Sequence, residues 1–145
     1  MMADLDAFID ARRAVAFAYF NHDCAHVAAD WVREATGVDA LAPLRCDGGP
    51  LHGESLLRAL RFVREAGGRG PARECFIAAG DFLLGPSVSG LAAHRGDVVL
   101  VRSGGRVGRV SGYGFGVCTG AHVVAPGVDH LRFLPITAAE AAWRI

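Results

Sequence analysis

The chain has 145 residues, 52% of them hydrophobic, and its 15 basic and 15 acidic residues cancel to a formal charge of zero. That is enough chain for one compact domain with a sizeable core, and a second domain would need more. Every basic residue is an arginine, no basic stripe is present, and without a net field to gather phosphates a nucleic-acid partner is excluded from the expectations.

The longest apolar run, residues 14–20, is far short of the roughly 20 residues that a membrane-crossing helix needs. The first residues, Met1-Met2-Ala3-Asp4-Leu5-Asp6, are acidic where a secretion signal is basic and then apolar, so a protein made in the cytoplasm is expected. Cys24, Cys46, Cys75 and Cys118 are scattered, contain no CxxC pair and read as reduced thiols.

Leu5, Phe8, Ile9 and Arg12 repeat at helical spacing and predict a first helix over residues 3–13. Residues 14–20 are too short and too aromatic to continue it, and read as an extended link packed on the core. Asp23 is a good N-cap for a helix from Cys24 to about Ala35, with Cys24, Val27, Ala28, Trp31 and Ala35 as its apolar stripe and Gly37 at its end. Pro43, Gly48, Gly49, Pro50 and Gly53 make residues 38–53 a loop. Leu56, Leu57, Leu60 and Val63 mark a third helix closed by Gly67-Gly68, while residues 74–84 fit a short helix or a strand equally well.

Beyond Gly96 the pattern changes. Val98 to Val101 is a short apolar run bounded by Gly96-Asp97 and Ser103-Gly104-Gly105, as a buried strand would be. Residues 115–119, 121–125 and 130–134 follow as further strands, and residues 137–145 read as a short helix docking Trp143 and Ile145. Helices first and a small antiparallel sheet second make an α+β fold.

The stretch richest in chemistry is Asn21-His22-Asp23-Cys24. A thiol at a helix N-terminus meets the positive end of the macrodipole and free N–H groups, which favour the thiolate over its usual pKa of ~8.5. Cys24 is therefore the candidate nucleophile. His22 and His26 flank it and invite a metal reading, but residues two apart on a helix face away from each other, and no metal site or cofactor is expected. Asp23 reads as the cap rather than an acid catalyst. Gly104-Gly105-Arg106-Val107-Gly108 lacks the lysine and the strand-to-helix setting of a phosphate cradle and reads as a plain loop. Trp31 and Trp143 read as core aromatics.

Taken in order, His22-Asp23-Cys24, Ala29-Asp30-Trp31-Val32, Gly37-Val38-Asp39, Arg95-Gly96-Asp97-Val98-Val99-Leu100-Val101, Gly116-Val117-Cys118-Thr119-Gly120, Val124-Ala125-Pro126-Gly127 and Ala142-Trp143-Arg144-Ile145 span nearly the whole chain. In this order the chain resembles the NlpC-type cell-wall peptidases of the papain-like superfamily, and more closely a set of phage and prophage proteins related to them. The resemblance implies a single papain-like domain over residues 1–145, with the N-terminal helices packed on a small C-terminal antiparallel sheet. It also implies a catalytic histidine at the start of the strand after the Gly-Asp strand. Here Gly114-Phe115-Gly116-Val117 occupies that motif, which puts Gly114 where the histidine belongs, and the family's third polar residue falls near Ala125.

A cysteine hydrolase needs a base in hydrogen-bond reach, since the thiol must ionise and the leaving amine must gain a proton. Of His22, His26, His52, His94, His122 and His130, His122 is the candidate base, because it lies on a predicted strand near the second assisting position. The resemblance implies a structural phage tail-tip protein, at the hub or baseplate of the virion, that keeps the peptidase-like fold and is catalytically degenerate. Its partners would be other tail-tip proteins. The alternative is an active cysteine peptidase or amidase that cuts peptidoglycan stem peptides during entry, with Cys24 as nucleophile and His122 as base. A third reading is a host-side papain-like amidase or acyltransferase with a small acyl substrate and no tail partners.

Overall fold

A computed structural model describes residues 3–102 and 112–145. The first helix, α1 (Leu5–Arg12), starts where the Asp4 carboxylate accepts the Ala7 N–H at 3.1 Å, and it buries Leu5, Phe8 and Ile9. These pack on Val27 and Trp31 of α2 (Cys24–Thr36) and on Val117, Val124 and Leu131 of the sheet. The Phe8 and Trp31 rings meet edge to face at 5.4 Å, a geometry that aromatic quadrupoles favour.

α2 begins at Asp23, whose extended backbone and side chain cap the His26 N–H at 2.8 Å, and it ends at Gly37 in the left-handed conformation (φ 79°). The loop after it contains a 3-10 turn at Ala42–Leu44 and sends Leu41 and Leu44 down onto Ala29. α3 (Leu56–Ala66) and α4 (Ala72–Leu84) follow, so the ambiguous 74–84 segment is a helix. α3 buries none of its residues fully, whereas α4 buries Cys75, Phe76, Ala79 and Gly80.

Among the described residues six strands form one antiparallel sheet: β1 (Val88–Ser89), β2 (Val98–Arg102), β3 (Tyr113–Cys118), β4 (His122–Pro126), β5 (Leu131–Pro135) and β6 (Ala139–Trp143). Their order across the sheet is β1-β6-β2-β3-β4-β5, so the last strand of the chain lies beside the second. The fold is thus α+β. One face carries Val98, Leu100, Phe115, Ala141 and Trp143 against α2 and α4. The other carries Val99, Val101, Cys118, Val123, Ala125 and Ala142, together with Val88 and Leu134 from the two edge strands. Apolar side chains thus pack on both faces of the sheet, and this is why its strands read as continuous apolar runs rather than alternating ones.

Two sequence expectations are corrected. Residues 137–145 are not a helix: a 3-10 turn at Ile136–Ala138 leads into β6, which sits between β1 and β2 with a register shift near Leu100. Ala139, Ala141 and Ala142 carry high helix propensity, but pairing on both sides and burial on both faces outweigh it. The 14–20 link is not packed on the core either; Val15, Phe17 and Tyr19 are 41%, 36% and 44% exposed. The segment lies along the β4–β5 turn, with the Phe17 N–H on the Val128 carbonyl at 3.0 Å.

Asp97 closes the fold. Its buried carboxylate accepts the His94 N–H at 2.8 Å and the Arg144 guanidinium at 3.0 Å, and its carbonyl accepts the Cys118 N–H at 2.9 Å. One residue ahead of it, the Gly96 carbonyl accepts the Trp31 indole N–H at 2.8 Å and ties α2 to the same corner. The Gly104–Gly108 loop lies outside the described residues.

Candidate functional site

Cys24 is the first residue of α2 and is half-buried against the cluster of Val98, Leu100, Phe115 and Trp143. Beside it the Asp23 carboxylate is fully engaged. One oxygen accepts the His26 N–H and faces the His26 Nδ1 at 2.7 Å, and the other accepts the Phe20 N–H at 2.9 Å. Burial works to raise the Asp23 pKa, but the bonds from the His26 ring and from the backbone N–H groups of His26 and Phe20 hold it below the usual value.

The Cys24 thiol goes the other way, pushed up to about 11. Burial is the main cause; the backbone amides of Phe115, Ala25 and Cys24 itself favour the thiolate, and the Asp23 charge opposes it. The expectation of a thiol activated by its helix end is therefore corrected. Packing on the sheet withdraws the sulfur from water, and that costs the thiolate more than the helix N-terminus returns.

The residue of β3 that faces the sulfur is Gly114. A Cβ built there would stand 3.5 Å from both Cys24 Cβ and Cys24 Sγ, and its backbone has no positive φ that would reserve the position for glycine. The position that the motif order assigns to the assisting histidine thus lies directly on the thiol and carries no side chain.

His122 is not brought to Cys24. It is the exposed first residue of β4, with its N–H on Thr119 Oγ1 at 3.0 Å. Since Cys118 pairs with Val123 and Val117 with Val124, His122 lies opposite Thr119. Gly114 is at the other end of β3, about 16 Å away at the usual strand rise of ~3.3 Å per residue. Ala125, the third expected position, is buried in the same apolar cluster as Val99 and Val101.

The other histidines have separate duties. His26 is committed to Asp23 and lies edge-on to Phe20 at 6.1 Å between ring centres. His52 is 3.8 Å from Asp47 on the surface, and His94 and His130 sit in exposed turns. His22 is buried beside Arg12 and Asp30. Among the described residues no imidazole is hydrogen-bonded to Cys24, and no three His, Cys, Asp or Glu side chains converge as metal ligands would.

The model of the family described as a domain of unknown function, DUF6950, matches residues 2–145. The chain belongs to that family. No curated protein and no solved structure matches it. The family description carries no activity, so the chemistry of this DUF6950 domain rests on the atoms around Cys24. Next to them a hollow of about 30 Å³ is lined by apolar groups that include Ala28, Val32, Leu41, Gly80, Leu84 and Phe115, room for about two water-sized groups. Among the described residues of the DUF6950 domain, no helix is long and apolar enough to cross a membrane.

The asset that sequence reading missed is Phe115. Its ring covers the start of α2, packing at 5.7 Å from Trp143 and 6.0 Å from Phe76, and its amide is turned on the sulfur. The signal was present in the two glycines that flank it, since Gly114 and Gly116 bring the backbones of α2 and β4 close: a Cβ at Gly116 would meet the Val124 carbonyl at 2.5 Å.

Proposed function

We propose that this protein is a structural component of a phage tail tip, built on an NlpC-type papain-like scaffold that no longer hydrolyses. One observation carries the loss of hydrolysis: the strand position facing the Cys24 thiol is Gly114, with nothing beyond its backbone to accept a proton. A half-buried thiol whose pKa is pushed up by its packing, with no imidazole hydrogen-bonded to it among the described residues, lacks both the base and the acid that acyl-transfer chemistry needs. The scaffold reading is supported by a helix headed by cysteine lying on the strand where the family's histidine strand belongs, and by the α+β architecture around it.

The tail-tip assignment rests on the motif order that the chain shares with the phage and prophage proteins. Partners in this reading are neighbouring tail-tip proteins, and the place of action is the virion. Electron microscopy of tails from phage carrying this gene should place the protein at the distal end in a defined copy number. Its absence from purified virions would end the assignment. Cleavage of muropeptides by the purified protein that disappears in Cys24→Ala would end the loss of hydrolysis and favour the active peptidoglycan amidase instead.

A further inference from the structure

Residues 13–23 form a loop between α1 and α2 that is held in an unusual way. Arg13 to Tyr19 and Asn21 are exposed, Phe20 and Asp23 are half-buried, and His22 is the one buried side chain of the segment, 8% exposed. The turn that carries it is tight. The His22 N–H donates to the Ala18 carbonyl at 2.7 Å, the Ala18 N–H returns to the His22 carbonyl at 3.3 Å, and Phe20 between them takes a positive φ of 66°.

The His22 ring is poorly served for a buried polar group, since its Nε2 has no hydrogen-bond partner among the described residues. A neutral imidazole tolerates one bare ring nitrogen, but an imidazolium carries two donors and a full charge. The charged groups around it are the Arg12 guanidinium from α1 and the carboxylates of Asp23 and Asp30 from the cap and body of α2. Both carboxylates favour the proton, and burial and Arg12 together outweigh them, so the pKa of the docked ring lies below its usual 6.5.

We propose that His22 is a pH-sensitive latch: with a neutral ring the loop 13–22 is held against α1 and α2 through His22 and along the β4–β5 turn through Phe17, and protonation expels the ring and loosens the loop. The released segment presents Val15, Phe17, Tyr19 and Phe20, the first three already partly exposed and the Phe17 and Tyr19 rings paired edge to face at 4.8 Å. The sign follows from linkage. The free ring binds a proton near pH 6.5 and the docked ring only at lower pH, so docking is complete at neutral pH and weakens as pH falls below that point. Asp23 does not gate the loop in this range, because its pKa is held below the ordinary carboxylate value.

The test is hydrogen exchange of the 13–22 amides in the full chain, corrected for intrinsic rates, from about pH 7.5 to pH 5, with NMR titration of the His22 ring in the same samples. His22 should titrate below its usual 6.5. Loop opening should rise toward about tenfold for each pH unit below ~6.5 until the docked pKa is reached. His22→Phe should keep the loop docked and make its exchange independent of pH, and Arg12→Leu should move the His22 titration upward. Exchange that stays flat in the wild type, or a pH dependence that survives in His22→Phe, overturns the latch. Should His22→Phe not fold, a His22 ring in the wild type that titrates at the ordinary value does the same.

Discussion

Gly114 of β3 faces Cys24 of α2 across the helix–sheet contact, at a distance where one added carbon would lie in ordinary van der Waals contact with the sulfur, 3.5 Å away. Nothing in the backbone at 114 forbids a side chain. Gly114→His should therefore fold and place an imidazole beside the thiol. An imidazolium next to a thiolate lowers its pKa, so alkylation of Cys24 at neutral pH should speed up, by at most about tenfold for each unit of the shift, because a less basic thiolate is also a weaker nucleophile. Mass-resolved iodoacetamide labelling, with exposed Cys46 as internal standard, reads this directly. A Cys24 rate unchanged by the substitution would show that position 114 does not govern the thiol.

The wild-type thiol makes its own pH prediction. Its pKa in the folded state, about 11, is above the usual value, so the folded form prefers the protonated sulfur. By linkage the stability this contributes is complete below ~8.5, the unfolded value, and is lost as pH rises toward the folded one. Urea denaturation between neutral and alkaline pH should show this loss, and Cys24→Ala should have a flatter profile over the same range. Equal alkaline slopes for the two proteins would remove the case for a buried neutral thiol.

Gly80 is in the middle of α4, where replacing glycine by alanine normally stabilises a helix by up to about 1 kcal/mol. Here a Cβ would run into the Trp143 indole, which is itself fixed by a hydrogen bond from Nε1 to Asp81 Oδ1 at 2.9 Å. Overpacking should win, and Gly80→Ala should cost about 1–3 kcal/mol in chemical denaturation. A stabilised variant would mean that β6 and α4 can move apart, against the buried position of Trp143.

Asp97 connects the turn before β2 with the chain's last residues. Asp97→Ala leaves the His94 N–H and the Arg144 guanidinium without their acceptor. Arg144 is partly exposed and can be rescued by water, so the expected loss is about 2 kcal/mol, near that of one charge-assisted hydrogen bond. Arg144→Ala should cost less, because the buried carboxylate keeps the backbone donor of His94. A thermal-melt series of both variants checks the order, and an Arg144 loss larger than the Asp97 loss would contradict it.

Much of the helical half of the molecule was legible in residue order. Asp23 with the stripe of Val27, Ala28 and Trp31 and the stop at Gly37 defines α2 almost to the residue, because caps and helical periodicity act over a few positions. The β2 to β5 strands were equally readable from their apolar runs and turn glycines. β6 was not, since Ala-Glu-Ala-Ala is locally helical and only its two neighbouring strands make it extended. The emptiness of the strand position beside Cys24 was readable as a glycine in a motif; that the glycine touches the sulfur was not.

Local order thus determined that a cysteine would head a capped amphipathic helix and that glycine would stand in the β3 motif, because both depend on near neighbours in the chain. Tertiary structure alone decided what that cysteine is chemically. The pKa of a thiol depends on how much water reaches it and which charges and amides surround it, and those are supplied by Phe115 and Gly114, some ninety residues further along the chain. The same holds for His22, whose burial against the flank of Arg12 and Asp30 appears in no motif and follows only from how α1 and α2 pack.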